Sequence, residues 1–215
     1  MPRLPLPPPR TLPWSLRPQT SALTGLHYDR FGRMVLTIEH QHLEGLTPAM
    51  LAWWFRNIGG EVEIGGRRMT RYHAWHPSDH ILWELVGGQA GTRVGVGSRF
   101  RIVEAFAANP KYYVDVIETV TRLDEAGITL VGRWGGIAIT CLSHDFTAAD
   151  GGTLYRSMLR VGIGLPLISR PTNWLLHRFF FSEAMGRAWL KHNIEEVGLL
   201  EHLLPLLGYR DATGG

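Results

Sequence analysis

His192 and Glu196 stand four residues apart inside a strongly helical stretch, 183–204, near the end of the chain. At about 100° of rotation per residue, Met185, Trp189, His192, Glu196, Leu199 and Leu203 fall on one stripe. An imidazole and a carboxylate therefore sit in the middle of an apolar face that should point into the core. A carboxylate is almost never fully buried without a partner. Either the pair satisfies itself with a neighbour, as buried His–Glu pairs one turn apart commonly do, or it holds something. A divalent metal is the natural candidate, because side chains at i, i+4 point the same way and Zn²⁺ takes nitrogen and carboxylate ligands.

Further donors must then come from elsewhere in the chain. The richest segment is Tyr72-His73-Ala74-Trp75-His76-Pro77-Ser78-Asp79-His80. Read as a strand, it puts His73 and His76 on opposite faces, and Pro77 re-aims whatever follows. His76 is the favoured ligand and His73 the alternative. Asp79 and His80 are then pocket groups that orient the ligands or act on substrate, since a ligating His normally donates its free N–H to a carboxylate or carbonyl. The competing reading of this segment is a polar turn capped by Asp79. Glu104 lies in an otherwise apolar strand and shares a face with Phe100, Ile102 and Phe106. Its ordinary explanation, an ion pair with Arg101, suffers because Arg101 points the other way. Glu104 with His76, His192 and Glu196 makes a set of two His and two carboxylates. Such a set holds Zn²⁺ and leaves a position for water or substrate; Fe²⁺ and Mn²⁺ are not excluded by ligand type.

His144 ends a strand whose same-face residues are Ala138, Thr140, Leu142 and Phe146. It is a candidate general acid or base lining a cavity, or else a strand-end His facing solvent. Tyr155 and Ser157 alternate on the facing strand and are candidates for contacting a substrate oxygen, or ordinary strand residues. Glu183, Glu195, His177 and His202 read as solvated or interface residues without a role.

The elements that must position these groups follow from punctuation and period. Thr47-Pro48 starts a helix, with Thr as N-cap and Pro in the first turn; it runs to about Ile58 and stops at Gly59-Gly60. Residues 69–85 read as a strand, a Pro turn, then a second strand or helical turn, and 87–98 as a Gly-rich loop. Strands follow at 99–106, at 112–123 (Tyr113, Asp115, Ile117 and Thr119 on one face), at 128–132, 136–146 and 153–161, with hairpin turns at 124–127 and 149–152. Helical pattern resumes near Pro171 and continues with breaks to Leu207. Strands grouped apart from helices mean an α+β layer architecture. A curved antiparallel sheet wrapped around a long C-terminal helix leaves an internal cavity, with His192 and Glu196 over its concave face.

Composition bounds the rest. The 215 residues are 45% hydrophobic and 19% charged, which fits one globular domain at 21–210 behind a Pro-rich, extended and mobile tail at 1–20. A net charge of +3 with scattered basic residues gives no nucleic-acid footprint. The single cysteine, Cys141, allows no internal disulfide and points to a reducing, cytoplasmic setting. No run of eighteen apolar residues exists, so no spanning helix is expected. The aromatic stretch 174–181 is expected to cap a pocket or pack in the core, rather than to dock on a membrane, and it offers a contact for a homodimer.

The combination W-H-P-x-D-H at 75–80, a strand Glu at 104 and H-x-x-x-E at 192–196 resembles the 2,4-diacetylphloroglucinol hydrolases and phloretin hydrolases, over roughly residues 45–205. The resemblance implies a helix-grip fold like that of the plant pollen allergens, with one zinc inside the cavity. It also implies hydrolysis of a carbon–carbon bond between a phenolic ring and an acyl carbonyl. The zinc ligands carry over onto His76 (or His73), Glu104, His192 and Glu196, and the cavity His that handles protons onto His144; Tyr72 and Tyr155 are candidates for the tyrosines around the acyl group. The expected partner is thus a small aromatic or polyketide substrate. Two rival readings use the same cavity, a non-enzymatic pocket for hydrophobic ligands or polyketides and a polyketide cyclase.

Overall fold

The computed structural model describes residues 3–86 and 93–208, so the first half of the Gly-rich loop expected at 87–98 lies outside the described residues. In chain order the elements are β1 (Leu23–Tyr28), β2 (Met34–Glu39), β3 (Leu43–Glu44), α1 (Pro48–Arg56), β4 (Glu61–Ile64), β5 (Arg67–Thr70), α2 (Arg71–Trp75), β6 (His80–Leu85), β7 (Arg99–Ala105), β8 (Tyr113–Asp124), β9 (Gly127–Trp134), β10 (Ile137–Ala149), β11 (Gly152–Val161), α3 (Ser169–Phe179) and α4 (Glu183–Leu206). The large sheet runs β1-β2-β11-β10-β9-β8-β7-β6, antiparallel throughout, with β3 also on β11; β4 and β5 form a separate hairpin. The sheet curves around α4. This is the helix-grip arrangement expected from the sequence.

The meander from β8 to β11 forms because two-residue turns reverse each strand. At the β9–β10 reversal, Gly135 and Gly136 take φ of 56° and 82°, the pair of left-handed residues that a tight hairpin requires. α1 starts at Thr47, whose Oγ1 accepts from Met50 N at 3.3 Å, with Pro48 in the first turn. α4 starts at Ser182, whose Oγ accepts from Met185 N at 3.2 Å. Ser182→Ala is expected to lower the unfolding free energy by about 1 kcal/mol, read by urea denaturation at neutral pH.

All six residues of the expected α4 stripe are buried. Met185, Trp189, Leu190 and Ile194 pack with Met34, Leu36 and Phe106 in one apolar core, while Val197, Leu199, Leu200 and Leu203 pack with Trp54, Phe55 and Trp75 in another. His192 and Glu196 sit where the two cores meet.

Three expectations are corrected. The Pro-rich segment is extended but docked: Arg10 N donates to Pro77 O at 3.0 Å, Leu12, Trp14 and Leu16 pack on the core, and Trp14 stacks on His202 with ring centroids 5.1 Å apart. Residues 71–75 form helix α2 rather than a strand, capped by Thr70 Oγ1 accepting from His73 N at 3.1 Å. Finally, β1 and β2, absent from the sequence reading, add two strands to the large sheet. In the aromatic stretch, Leu176, Phe180 and Phe181 line the cavity, Phe181 also packs in the core, and Trp174 and Phe179 stay exposed. No described helix is long and apolar enough to cross a membrane.

Candidate metal centre and cavity

Between α4 and the sheet lies a cavity of ≈ 320 Å³. Its walls are largely apolar, with Phe55, Trp75, Trp83, Phe100, Phe106 and Trp189 among them, and it carries a polar group formed by Glu104, His192 and Glu196.

Three elements meet at that polar group. β6 begins at His80, which pairs directly with Glu104 of β7, and α4 brings His192 and Glu196. His80 Nε2 lies 3.4 Å from Glu104 Oε1 and 3.4 Å from Glu196 Oε2. His192 Nε2 lies 3.8 Å from Glu104 Oε2 and 3.7 Å from Glu196 Oε2. Donors about 2.1 Å from a shared tetrahedral ion would be separated by roughly 3.4 Å; the donor atoms of His80, Glu104 and His192 lie within 4.8 Å of one another, close enough to admit one metal. Each imidazole is oriented through its other nitrogen. His80 Nδ1 donates to Tyr72 O at 2.6 Å, and the Tyr72 ring stacks on His80 with centroids 3.9 Å apart. His192 Nδ1 donates to Asp79 Oδ2 at 3.0 Å. Both arrangements turn the Nε2 lone pairs toward the carboxylates, as a metal-ligating His requires. His80 Nε2, although fully buried, has no hydrogen-bond partner. What sets it apart from other buried side-chain atoms without a partner, such as Trp54 Nε1 and the Tyr155 hydroxyl, is the pair of carboxylate oxygens 3.4 Å away.

Asp79 is the keystone of the support. Besides His192, its carboxylate accepts from Ala107 N at 2.8 Å and Ala108 N at 2.9 Å. Those two alanines have φ of 57° and 51°, a left-handed conformation that costs non-glycine residues energy unless something holds it. The successive amides make an anion-binding nest filled by Asp79. Burial pushes the Asp79 carboxyl up, but the His192 hydrogen bond, the neighbouring imidazoles and the Ala107 amide outweigh it and bring it down to about 2.

Burial, more than any other cause, sets the electrostatics of the group. Burial pushes Glu104 up to about 8, against the hydrogen bond from Tyr72, with the Glu118 and Asp79 charges adding to the rise. Burial, then the charge of Glu104, pushes Glu196 well above the carboxylate range. Burial, then the other imidazoles, drives His80 well below the usual imidazole value, and burial followed by His76 takes His192 down to about 4. Two carboxylates forced together in an apolar wall are what a dication compensates.

The grouping of side chains differs from the expected one at one position, although His76, Asp79 and His192 also lie close together. His76 does not reach the group: its Nδ1 accepts from Asp79 N at 3.1 Å, and its Nε2 donates to Glu195 Oε2 at 3.3 Å. His80, expected only as a pocket group, takes its place. His73, the alternative, is bonded to Ile81 O at 3.0 Å, away from the cluster. Glu104, His192 and Glu196 come together at the cavity, and Asp79 accepts from His192. Glu195, given no role, is buried and ties His76 to Lys191. Arg101 points outward to Asp115 and Glu84, leaving Glu104 to the cavity.

His144 is buried, not solvent-facing, and lines the same cavity. Its Nδ1 lies 2.9 Å from Ser157 Oγ, which lies 2.8 Å from His40 Nε2. Burial lowers His144 to about 3, so its ring is neutral at physiological pH. Ser157 is committed to these two imidazoles. The Tyr72 hydroxyl donates to Glu104, and the Tyr155 hydroxyl is buried without a hydrogen-bond partner.

The chain is thus a helix-grip protein with an apolar cavity whose wall carries Glu104, His192 and Glu196, with His80 beside them. No family model matches the chain, and no curated protein is similar to it. Among solved structures it is similar to a START superfamily protein from Mycobacterium smegmatis (12% identity, TM-score 0.48, covering 80% of this chain and 98% of that one). It is similar also to Ara h 8.0201 (15%, TM-score 0.40, covering 74% and 97%) and to CalU16 from Micromonospora echinospora (10%, TM-score 0.38, covering 83% and 96%).

Proposed function

We propose that this protein is a divalent-metal hydrolase. Its reaction cleaves the carbon–carbon bond between an acyl group and a phloroglucinol-type ring, or one carbonyl of a β-diketone. Zn²⁺ is the first-choice metal, with Fe²⁺ and Mn²⁺ admitted by the ligand types. One observation carries the reading: a fully buried imidazole nitrogen, His80 Nε2, lacks a hydrogen-bond partner and faces one oxygen of each of two carboxylates at 3.4 Å. His80, Glu104, His192 and Glu196 are the residues that would hold the metal. When bound, it supplies a polarised acyl carbonyl and an acidified water.

The reaction balances as acylphenol plus water giving carboxylic acid plus phenol. The bond from acyl carbon to ring carbon breaks, its electron pair stays on the ring carbon, that carbon takes a proton, and the acyl carbon takes hydroxyl. The apolar walls exclude bulk water from the leaving ring. His144, steadied by Ser157 with His40 behind it on the same hydrogen-bonded chain, is the neutral imidazole at the cavity wall that takes the proton released by the attacking water and passes it to the ring carbon. Tyr72 holds Glu104 in place.

The test pairs elemental analysis with turnover. The Zn²⁺-loaded protein is expected to carry about one metal per chain and to release acetate from 2,4-diacetylphloroglucinol. A chain that takes up no metal, or holds it and cleaves no acylphloroglucinol, overturns the proposal. A second reading, a pocket that binds or cyclises a polyketide without metal, is favoured by the raised Glu104, which burial leaves able to act as an uncharged acid near neutral pH. Cyclisation of a poly-β-ketone by metal-free protein would be its signature.

A further inference from the structure

A second polar group faces the same cavity away from the His/Glu cluster. Glu118 of β8 is 5% exposed and lines the cavity together with Thr140 of β10. The two are neighbours across β9. Gly132 is the register partner of Glu118 on one side and of Thr140 on the other. A Cβ at Gly132 would lie 2.3 Å from Thr140 Oγ1 and 3.8 Å from Glu118 Oε1. The missing side chain is what lets the Thr140 hydroxyl reach over β9 and donate to Glu118 Oε1 at 3.3 Å. That long contact is the only hydrogen bond to the Glu118 carboxyl among the described residues, where an ionised carboxylate has about four acceptor sites to fill. Apolar residues surround the pair: Phe100 pairs with Glu118, and Val161 with Thr140.

Register gives the separation. Glu104 pairs with Val114 and Phe100 with Glu118, so the two carboxylates lie four residues apart along adjacent strands. That places their backbones roughly 13 Å apart. The two side chains face the same cavity and close part of that gap, since the Glu118 charge still raises Glu104; a ring hydroxyl ortho to an acyl carbonyl at the cluster lies beside that carbonyl and falls short of Glu118.

We infer that Glu118 and Thr140 form a binding subsite for a hydroxyl group at the distal end of the ligand's acyl chain. The cavity thereby selects molecules with an oxygen function at each end and an apolar middle. Unpaired buried acceptors reject an apolar terminus far more strongly than a shape difference would. The inference rests on the proposed function only for placing the carbonyl at the cluster, and its test reads binding, not turnover.

The probes are 8-hydroxyoctanoyl-phloroglucinol and octanoyl-phloroglucinol, titrated against the full chain by tryptophan fluorescence quenching, both metal-free and Zn²⁺-loaded. Wild type is expected to bind the hydroxylated probe at least ~10-fold more tightly. Glu118→Ala is expected to abolish the preference, and Thr140→Val, a near-isosteric change that spares the carboxyl, to reduce it. Equal affinity of wild type for the two probes, or failure to bind either, overturns the inference, as does a preference that survives in Glu118→Ala. Loss of metal or of turnover with the preference intact counts against the proposed hydrolase and leaves the subsite standing.

Discussion

His80→Ala is expected to leave the purified protein without its divalent metal, while His76→Ala keeps it. Structural zinc sites bind with an apparent 10–16 kcal/mol, so one of four ligands is worth roughly 3 kcal/mol, more than 100-fold in affinity. His80 Nε2 sits between Glu104 and Glu196, and its loss removes a donor for which no described side chain substitutes. His76 stacks on His192 at 4.5 Å and is bonded to Glu195. Removing it disturbs the support of one ligand and should cost about 10-fold. Elemental analysis after dialysis against buffered Zn²⁺, with acylphloroglucinol turnover alongside, distinguishes the two. The opposite pattern, metal lost with His76 and kept without His80, would return the ligand assignment to the one expected from sequence and remove the main support of the proposed centre.

That reversal shows where sequence reasoning runs out. The α4 stripe was legible because helical period alone puts His192 and Glu196 on an apolar face, and Glu104 because strand period does the same. The order of His76 and His80 was not, because it depends on two things outside any local pattern. One is that residues 71–75 fold as a helix; Thr70, three residues before His73, was a readable N-cap signal for it. The other is the pairing of His80 with Glu104 across β6 and β7, a contact fixed by tertiary register. The edge strand β1 was missed because LTGLHY is mostly exposed and has no clean alternation. β2 was missed although its run MVLTIE is largely buried. The Pro-rich segment looked like a free tail by composition; its docking depends on Arg10, Leu12, Trp14 and Leu16, residues between the prolines. Glu118 carried the same signal as Glu104, a Glu on the Val114, Val116, Val120 face of its strand. The opposite face of that strand, with Tyr113, Asp115, Ile117 and Thr119, shows the more evident alternation.

The buried Glu118 has a thermodynamic signature that separates a carboxylate kept for binding from one kept for structure. Burial pushes its folded value up to about 7, against the hydrogen bond from Thr140, from an ordinary 4.5. A raised folded value means that wild-type stability is whole below about pH 4.5, where the carboxyl is protonated in both states. It is lost as the pH rises to about 7 and is constantly diminished above that. A gap of about 2.5 units corresponds to roughly 3 kcal/mol. Glu118→Gln, neutral at every pH and still able to accept from Thr140, is therefore expected to match wild type near pH 4.5 and to exceed it by up to about 3 kcal/mol at pH 8. Urea denaturation of the ligand-free protein at both pH values reads the difference directly. A stability difference that does not change with pH would mean that the carboxylate is already compensated in the fold. A difference that grows as expected marks Glu118 as a destabilising group in the free protein, and a hydroxyl-bearing ligand that donates to it recovers at binding part of what the empty cavity forgoes.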